Sequence, residues 1–308
     1  MRWILLTAFL VLSGFTLSVL GGSWPQSDLE WRILAELRWP RAMAALLVGS
    51  VLGVCGLFLQ VVLRNPLAEP YILGVSGGAS VAVMLSALMG LSSVFLPVSA
   101  MIGALATLAL LLSLTRMGRS DPIRLLLTGV LLSAGAGALG SLILTFSDPV
   151  RTQVSLVWLM GDLSGAGISS LWFLPWLGFL VLATRASRLL DVFNRGPDAA
   201  SMLGMNVVRV RSFLIGIAGI LTALAVSVAG PIGFIGLLVP HAVRLLMPTR
   251  THRTWLPMCA GLGGALLLWA DWLGRAVADP IQIPAGVVMA MLGIPVLLVL
   301  LGRIYASR

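Results

Sequence analysis

Three arginines of the chain could together form a site for an acidic partner. Arg38 and Arg41 flank a Trp-Pro pair, and Arg275 lies far downstream. A guanidinium binds a carboxylate through parallel N–H donors, so arginines that meet at a surface can orient an acidic protein. The same residues could instead anchor the chain at a membrane interface, which Trp and Arg both favour. The residues alone leave both interpretations open.

A second segment combines helix breakers with an apolar sequence. Residues 230–241 read Gly-Pro-Ile-Gly-Phe-Ile-Gly-Leu-Leu-Val-Pro-His. Proline removes a backbone donor, and glycine at every third position clears one helical face. Inside a bilayer, the freed backbone groups need partners within the protein or along a water-filled path. We therefore expect structural roles inside a helical bundle for Gly230, Pro231, Gly233, Gly236, Pro240 and His241.

A third segment breaks the chain between two apolar runs. Residues 64–70 read Arg-Asn-Pro-Leu-Ala-Glu-Pro, and a glycine cluster follows at 74–79. An ordinary turn between helices is one interpretation. The segment is also apolar and rich in breakers, which fits a constriction at one end of a path.

A fourth segment, at about 190–208, lies within the non-apolar stretch 185–211 and has its centre at residues 196–204. Pro197 and Asp198 are typical of a helix start, and Gly204 of a helix end. The sequence predicts a short helix of small residues that offers Met202 and Leu203 to its surroundings. Such a helix could lie on the lipid surface or dock a cytoplasmic partner.

Composition identifies the class of protein that must position these segments. The chain has 308 residues, of which 59% are hydrophobic and 10% are charged, whereas soluble domains carry about 25% charged residues. No stretch is long and polar enough for a separate soluble domain. The sequence predicts an all-α polytopic membrane protein, with residues 1–308 forming one transmembrane domain.

Apolar runs of membrane-crossing length predict about ten helices, some of them short or broken. The candidate spans are 3–20, 42–63, 72–92, 94–115, 124–146, 168–184, 211–230, 232–247, 255–277 and 284–302. A patch at 154–161 is too short to cross and is expected to form a short or re-entrant helix. The first run could be a signal peptide, but its length and the loose cleavage site favour a retained helix.

The placement of arginine predicts the orientation. With both termini on one side, that side holds fifteen arginines and the other side five. Positively charged loops face the cytoplasm, so both termini are predicted to be cytoplasmic in a bacterial inner membrane. Arg38, Arg41 and Arg275 then face outward, and residues 190–208 lie in the cytoplasm.

Several functions are excluded or disfavoured by residue type. All 20 basic residues are arginine, and a P-loop needs lysine at the phosphates, so the chain lacks its own P-loop ATPase site. We expect no catalysis, metal or cofactor. Cys55 and Cys259 lie in apolar runs and are expected as small buried hydrophobes. The net charge of +9 is attributed to membrane topology, not to nucleic-acid binding.

If the chain transports a substrate with the help of ATP, the ATPase is therefore a separate polypeptide. Two alternative functions need no such partner. An ion-coupled secondary transporter usually carries acids within the membrane, and here the candidates are few and near boundaries, such as Asp271. A membrane scaffold that transports nothing is the other alternative.

The chain resembles the permease subunits of the ATP-binding-cassette importers for vitamin B12, haem and ferric siderophores. The matching motifs follow the family's order from residue 38 to residue 288. They are Arg-x-Pro-Arg at 38–41, Arg-Asn-Pro-Leu-Ala-x-Pro at 64–70, Gly-Val-Ser-x-Gly-Ala at 74–79, Gly-x-x-x-Ala-x-x-Leu-Gly at 196–204, Gly-x-Ile-Gly-Phe-Ile-Gly-Leu-x-x-Pro-His at 230–241, Ala-Asp-x-x-x-Arg at 270–275 and Ile-Pro-x-Gly-Val-Val at 283–288.

The resemblance implies a homodimer of ten-helix subunits around a central path, two cytoplasmic ATPase subunits, and a binding protein that delivers a metal chelate. It implies that Arg38, Arg41 and Arg275 meet glutamates of the binding protein. It implies a cytoplasmic gate at Asn65, Pro66 and Leu67. The residues implied to contact the ATPase are Gly196, Asp198, Ala199, Ala200, Ser201, Met202, Leu203 and Gly204.

The chain departs from the family at two places. The family often has an acid before the Ile/Leu-Pro pair, where this chain has Gln282, which puts a salt bridge from that position in doubt. The B12 importer has Thr-Ser in its gate where Pro122 and Ile123 stand here, so that gate detail is not carried over.

Overall fold

Helices are the regular secondary structure of the chain in the part that the structure describes. That structure is a computed structural model, and it describes residues 2–21, 24–116, 122–166, 173–248, 250–278 and 280–306, with no strand among them. The predicted all-α class is therefore confirmed. Its helices are α1 Arg2–Leu20, α2 Asp28–Ile33, α3 Trp39–Val62, α4 Val75–Leu88, α5 Leu96–Arg116, α6 Pro122–Thr145, α7 Pro149–Leu159, α8 Phe173–Arg185, α9 Ser187–Asn194, α10 Pro197–Met202, α11 Val207–Ala229, α12 Ile235–Leu246, α13 His252–Ala276 and α14 Ala285–Ala306.

Each of the ten predicted spans overlaps one of these helices. Within the described ranges, six stretches are long and apolar enough to cross a membrane by themselves: α1, the run from α2 through α3, α5, α6, α11 and α13. Three shorter apolar helices, α4, α12 and α14, accompany them. The first residues of the 168–184 span lie outside the described residues. The count of ten crossings stays a prediction, and the short helix expected near 154–161 is α7.

The helix that carries Arg38 and Arg41 begins earlier than the apolar pattern predicts. From Asp28 to Val62 the chain is helical without interruption, with a π-helical turn at Leu34–Arg38 where the Trp39 N–H donates to the Leu34 carbonyl. Pro40 follows at once, and its missing N–H and bulky ring oppose a regular helix at this point. The wide turn thus lets the helix pass the proline.

Helix α3 is the centre of the bundle, and glycine lets its neighbours approach. It packs against α11, α12 and α13, while α4, α5 and α6 form a second group that α11 joins to α3. A Cβ on Gly49 would overlap the carbonyl of Gly263 in α13, and one on Gly56 would overlap that of Gly236 in α12. Close backbone approach of this kind is how helices associate in membranes.

Candidate functional site

The arginines predicted to dock a partner meet at one end of the bundle, but two of them are already paired. Arg41 Nε lies 2.8 Å from one carboxylate oxygen of Asp271, and an Arg275 guanidinium nitrogen lies 3.0 Å from the other. The Asp271 side chain is 0% exposed, and those of Arg41 and Arg275 are 11% and 17% exposed. This buried Arg–Asp–Arg triad holds α3 to α13.

Further contacts fix both guanidinium groups of the triad. Arg275 donates to the hydroxyl of Ser18 in α1 at 2.8 Å, and Arg41 donates to Gln282 Oε1 at 2.9 Å. Arg41 also lies 3.4 Å from an oxygen of Asp162. Gln282, the position at which a salt bridge was in doubt, thus forms a hydrogen bond to Arg41 through its neutral amide.

Arg38 is the arginine of the three that contacts no acid among the described residues. It donates to the Leu20 carbonyl at 3.1 Å and lines a cavity of about 600 Å³ together with Arg41, Arg275 and Gln282. Among the described residues, three arginines here face two aspartates, which leaves one positive charge in excess. Arg38, Arg41, Arg275, Asp162, Asp271 and Gln282 are called the outer cluster below.

At the other end of α3, the segment that carries Asn65, Pro66 and Leu67 is a series of tight turns. Arg64 takes a left-handed backbone with φ of 50°, which is uncommon outside glycine. The Leu67 N–H donates to Asn65 Oδ1 at 2.9 Å, and the Ala68 N–H donates to the Asn65 carbonyl at 3.0 Å. Leu67 is 40% exposed. Residues 64–70 are called the gate loop.

The gate loop meets the broken segment between α11 and α12. Residues 230–234 are not helical, and these residues are called the break. The Ile232 N–H donates to the Tyr71 hydroxyl at 2.8 Å, and the Phe234 N–H donates to Glu69 Oε2 at 3.3 Å. Glu69 of the gate loop and Tyr71, just after that loop, thus accept from two backbone N–H groups that have no partner within a helix. Burial in a bundle requires such partners.

A buried amide satisfies the carbonyl that Pro240 leaves without a helical partner and also contacts the next carbonyl. Pro240 lies inside α12 and has no N–H for the Gly236 carbonyl. Gln60 of α3 donates to the Gly236 and Leu237 carbonyls at 3.1 and 3.3 Å, and Arg244 donates to Gln60 Oε1. The apolar pattern gave no sign that Gln60 would lie at this site.

The signature residues of the break differ in their surroundings. A Cβ on Gly230 would lie 2.6 Å from the Trp158 carbonyl, and one on Gly236 would overlap the ring of Pro70, while one on Gly233 would meet nothing within 4 Å. Pro231 presses its carbonyl against Gly161. His241 is partly buried, one helical turn from Arg244, and the described residues contain no group of three metal ligands.

The predicted short helix of the 190–208 segment is α10. It ends in a Schellman motif, in which the Met205 N–H donates to the Ala200 carbonyl at 3.0 Å and the Gly204 N–H to the Ser201 carbonyl at 2.9 Å. Gly204 there takes φ of 80°, so it ends the helix as predicted.

Exposure separates the residues of α10 into two groups. Met202 and Leu203 are 88% and 63% exposed, and Asp198, Ser201 and Gly204 are exposed too. Ala200 is fully buried, and Gly196 packs against Arg64, so these two face the protein's own interior. Ala199 is intermediate. Any partner that docks on α10 would therefore meet Met202 and Leu203, not Ala200.

Two acids lie deeper than the sequence pattern indicates. Asp271 is fully buried in the triad, and Glu69 is partly buried against the break. Both acids contact other residues of the chain, Asp271 through Arg41 and Arg275 and Glu69 through the Phe234 N–H. Cys55 and Cys259 are both buried and unpaired.

Comparison with known proteins identifies relatives over almost the whole chain. The model of the FecCD transport family matches residues 1–303. The vitamin B12 import system permease protein BtuC of Photorhabdus laumondii is 36% identical, over 98% of this chain and 93% of the relative. The iron(3+)-hydroxamate permease FhuG of Bacillus subtilis is 38% identical, over 87% and 83%. The hemin transport permease HmuU of Yersinia pestis is 37% identical, over 90% and 85%.

A solved structure shares the fold. It is described as an inward-facing conformation of a metal-chelate type ABC transporter, with a TM-score of 0.87 and 30% identity. The alignment covers 96% of this chain and 97% of that one.

Proposed function

The chain belongs to the FecCD transport family of membrane-spanning ABC transporter permeases, and from this premise we propose that it imports a metal chelate across the bacterial inner membrane. The observation that carries the proposal is the family match over residues 1–303. ATP would be hydrolysed by separate subunits, since the chain has no lysine for a P-loop of its own. Both termini would lie in the cytoplasm.

The working importer would contain two copies of this chain, two ATPase subunits and a binding protein. The exposed Met202 and Leu203 at the tip of α10 support an ATPase contact, because buried apolar anchors dominate protein interfaces. The excess positive charge of the outer cluster supports a contact with acids of the binding protein. Of its arginines, Arg38 is the one that pairs with no carboxylate in the part of the chain that the structure describes.

The cargo would be a ferric siderophore, haem or cobalamin. The named relatives transport vitamin B12, iron(3+)-hydroxamate and hemin. A permease that receives cargo from a binding protein needs only weak affinity along its own path, since release must be easy. The gate loop would close that path at the cytoplasmic end.

Reconstitution tests the proposal against an ion-coupled transporter that acts alone. The chain is placed in proteoliposomes with its ATPase and binding protein, and uptake of ferric hydroxamate, haemin and cobalamin is measured. We expect uptake of one of the three only when ATP, ATPase and binding protein are all present. Uptake by the chain alone under a proton or sodium gradient would show that the proposal is wrong.

A further inference from the structure

Two broken segments enter the bundle from opposite ends and meet inside it. The gate loop follows the end of α3, and the break follows the end of α11. Pro70 packs against Gly236, which in turn packs against Gly56 of α3. Gly56 stands six residues before the end of α3, so the gate loop reaches about 9 Å into the bundle at 1.5 Å per residue.

Two side chains join the segments at this meeting point. The Tyr71 hydroxyl and the Glu69 carboxylate accept from the backbone N–H groups of Ile232 and Phe234. Phe234 takes φ of 70°, which aromatic residues rarely adopt. Its ring lies on Gly293 of α14, where a Cβ would clash with it. The break is therefore held in one conformation from both sides.

The gate residues have little freedom relative to Glu69 and Tyr71. The Ala68 N–H donates to the Asn65 carbonyl, the Ile72 N–H to the Glu69 carbonyl and the Gly74 N–H to the Tyr71 carbonyl, at 3.0 to 3.1 Å. Successive hydrogen-bonded turns of this kind restrict how far neighbouring residues can move relative to one another. A tie at residues 69 and 71 consequently fixes where Asn65 and Leu67 lie.

We propose that Tyr71 and Glu69 are positioning residues that hold the gate loop in place against the break. This inference rests on the proposed role of residues 65–67 as a gate. In the bilayer no water replaces a lost partner, so opening the gate requires that both hydrogen bonds break or that loop and break move as one body.

Labelling of a cysteine in the gate loop tests the proposal without cargo or ATPase. Ala68→Cys, at a fully buried position of the gate loop, is introduced into the full chain in lipid nanodiscs, and its reaction with a water-soluble maleimide is timed. The native cysteines are fully buried and serve as a silent background. Tyr71→Phe removes one acceptor, and Glu69→Leu removes the other. Each should raise the labelling rate about fivefold, as expected for loss of one hydrogen bond.

Two control variants separate positioning from general loosening. Glu69→Gln keeps an acceptor oxygen and should restore the slow rate. Ser50→Ala deletes a buried hydrogen bond from the Ser50 hydroxyl to the Ala260 carbonyl, 2.9 Å long and remote from the gate, and should leave the rate unchanged. An unchanged rate in Tyr71→Phe, or an equal rise in Ser50→Ala, overturns the proposal. Chelate uptake is measured separately, so failure of the import function leaves this result readable.

Discussion

The outer cluster and helix α10 lie at opposite ends of α3, and they use their side chains in opposite ways. In the outer cluster, Arg41 and Arg275 are largely buried around Asp271. On α10, Met202 and Leu203 are exposed and contact little of their own chain. Motif matching alone predicted docking for both sets. The structure shows that Arg41 and Arg275 form ion pairs within the chain, whereas Met202 and Leu203 remain exposed.

The largest effect on stability is expected when Asp271, the buried acid of the outer cluster, is removed. Asp271→Ala leaves two guanidinium groups without their shared counter-charge, and removing one partner of a buried ion pair costs about 3–5 kcal/mol. Thermal unfolding of the purified chain in detergent should show this loss. Glu36→Ala, an exposed acid nearby, should change the free energy of unfolding by less than about 0.5 kcal/mol. Equal stability of the two variants would remove the structural role assigned to the triad.

A smaller effect is expected when charge is placed on the α10 tip. Leu203→Glu should weaken binding of the ATPase subunit by about 2 kcal/mol, the loss typical of an interface hot spot, while the unfolding temperature stays unchanged. Co-purification of the ATPase and affinity titration measure the loss. Ala200→Glu is the matched variant, because Ala200 is buried and a charge there should destabilise the fold itself. ATPase binding by Leu203→Glu at the affinity of the native chain would contradict the coupling role.

Among the three arginines of the outer cluster, Arg38 is the one whose substitution should weaken docking of the binding protein without lowering the stability of the chain. Arg38→Glu is expected to weaken the binding protein's affinity about tenfold at low salt, with the effect shrinking as salt rises. Reversal of Arg41 or Arg275 would instead disrupt the triad, so it cannot serve this test cleanly. Surface-based binding measurements at two salt concentrations check the result. A salt-independent affinity that Arg38→Glu does not change would assign Arg38 to the membrane interface.

The smallest effect is expected at Gln282. Gln282→Glu converts a neutral acceptor of Arg41 into an acid at the same place. Gln282 is exposed, and ion pairs at exposed positions contribute about 0–1 kcal/mol, so the unfolding temperature should rise slightly or stay the same. Gln282→Leu removes the acceptor and should lower it. A larger loss with Glu than with Leu would mean that Asp271 and Asp162 already dominate the local charge.

Most helix positions could be predicted because apolar runs of membrane length have few other uses. The span at 255–277, for example, differs little from α13 at His252–Ala276. The helix at Asp28–Arg38 was missed because its charged residues break the apolar pattern. Proximity to Pro40 also disfavours a regular helix, and only the π-helical turn accommodates it.

The partners of the polar residues could not be predicted from the sequence. Nothing in the spacing of Asp271 shows that it faces Arg41, and nothing in a lone Gln60 shows that it covers carbonyls beside Pro240. Periodicity records which face of a helix is apolar, while these contacts depend on how distant helices are placed. One signal was available in the sequence. The backbone groups of a break such as 230–234 need buried partners, so a polar residue within a neighbouring apolar run is a candidate partner.

The central position of α3 has a consequence for how the protein is made. The most apolar 18-residue stretch of the helical run that contains α3 is 89% buried. The backbone of α3 lies close to Gly236 and Gly263, which belong to helices that are synthesised far later. Chains emerge from the N-terminus first, so α3 must enter the bilayer and wait among lipids with its glycine face uncovered. Truncation before α12 would therefore leave the earliest-inserted core helix without its neighbours, and quality-control proteases would meet it in that state.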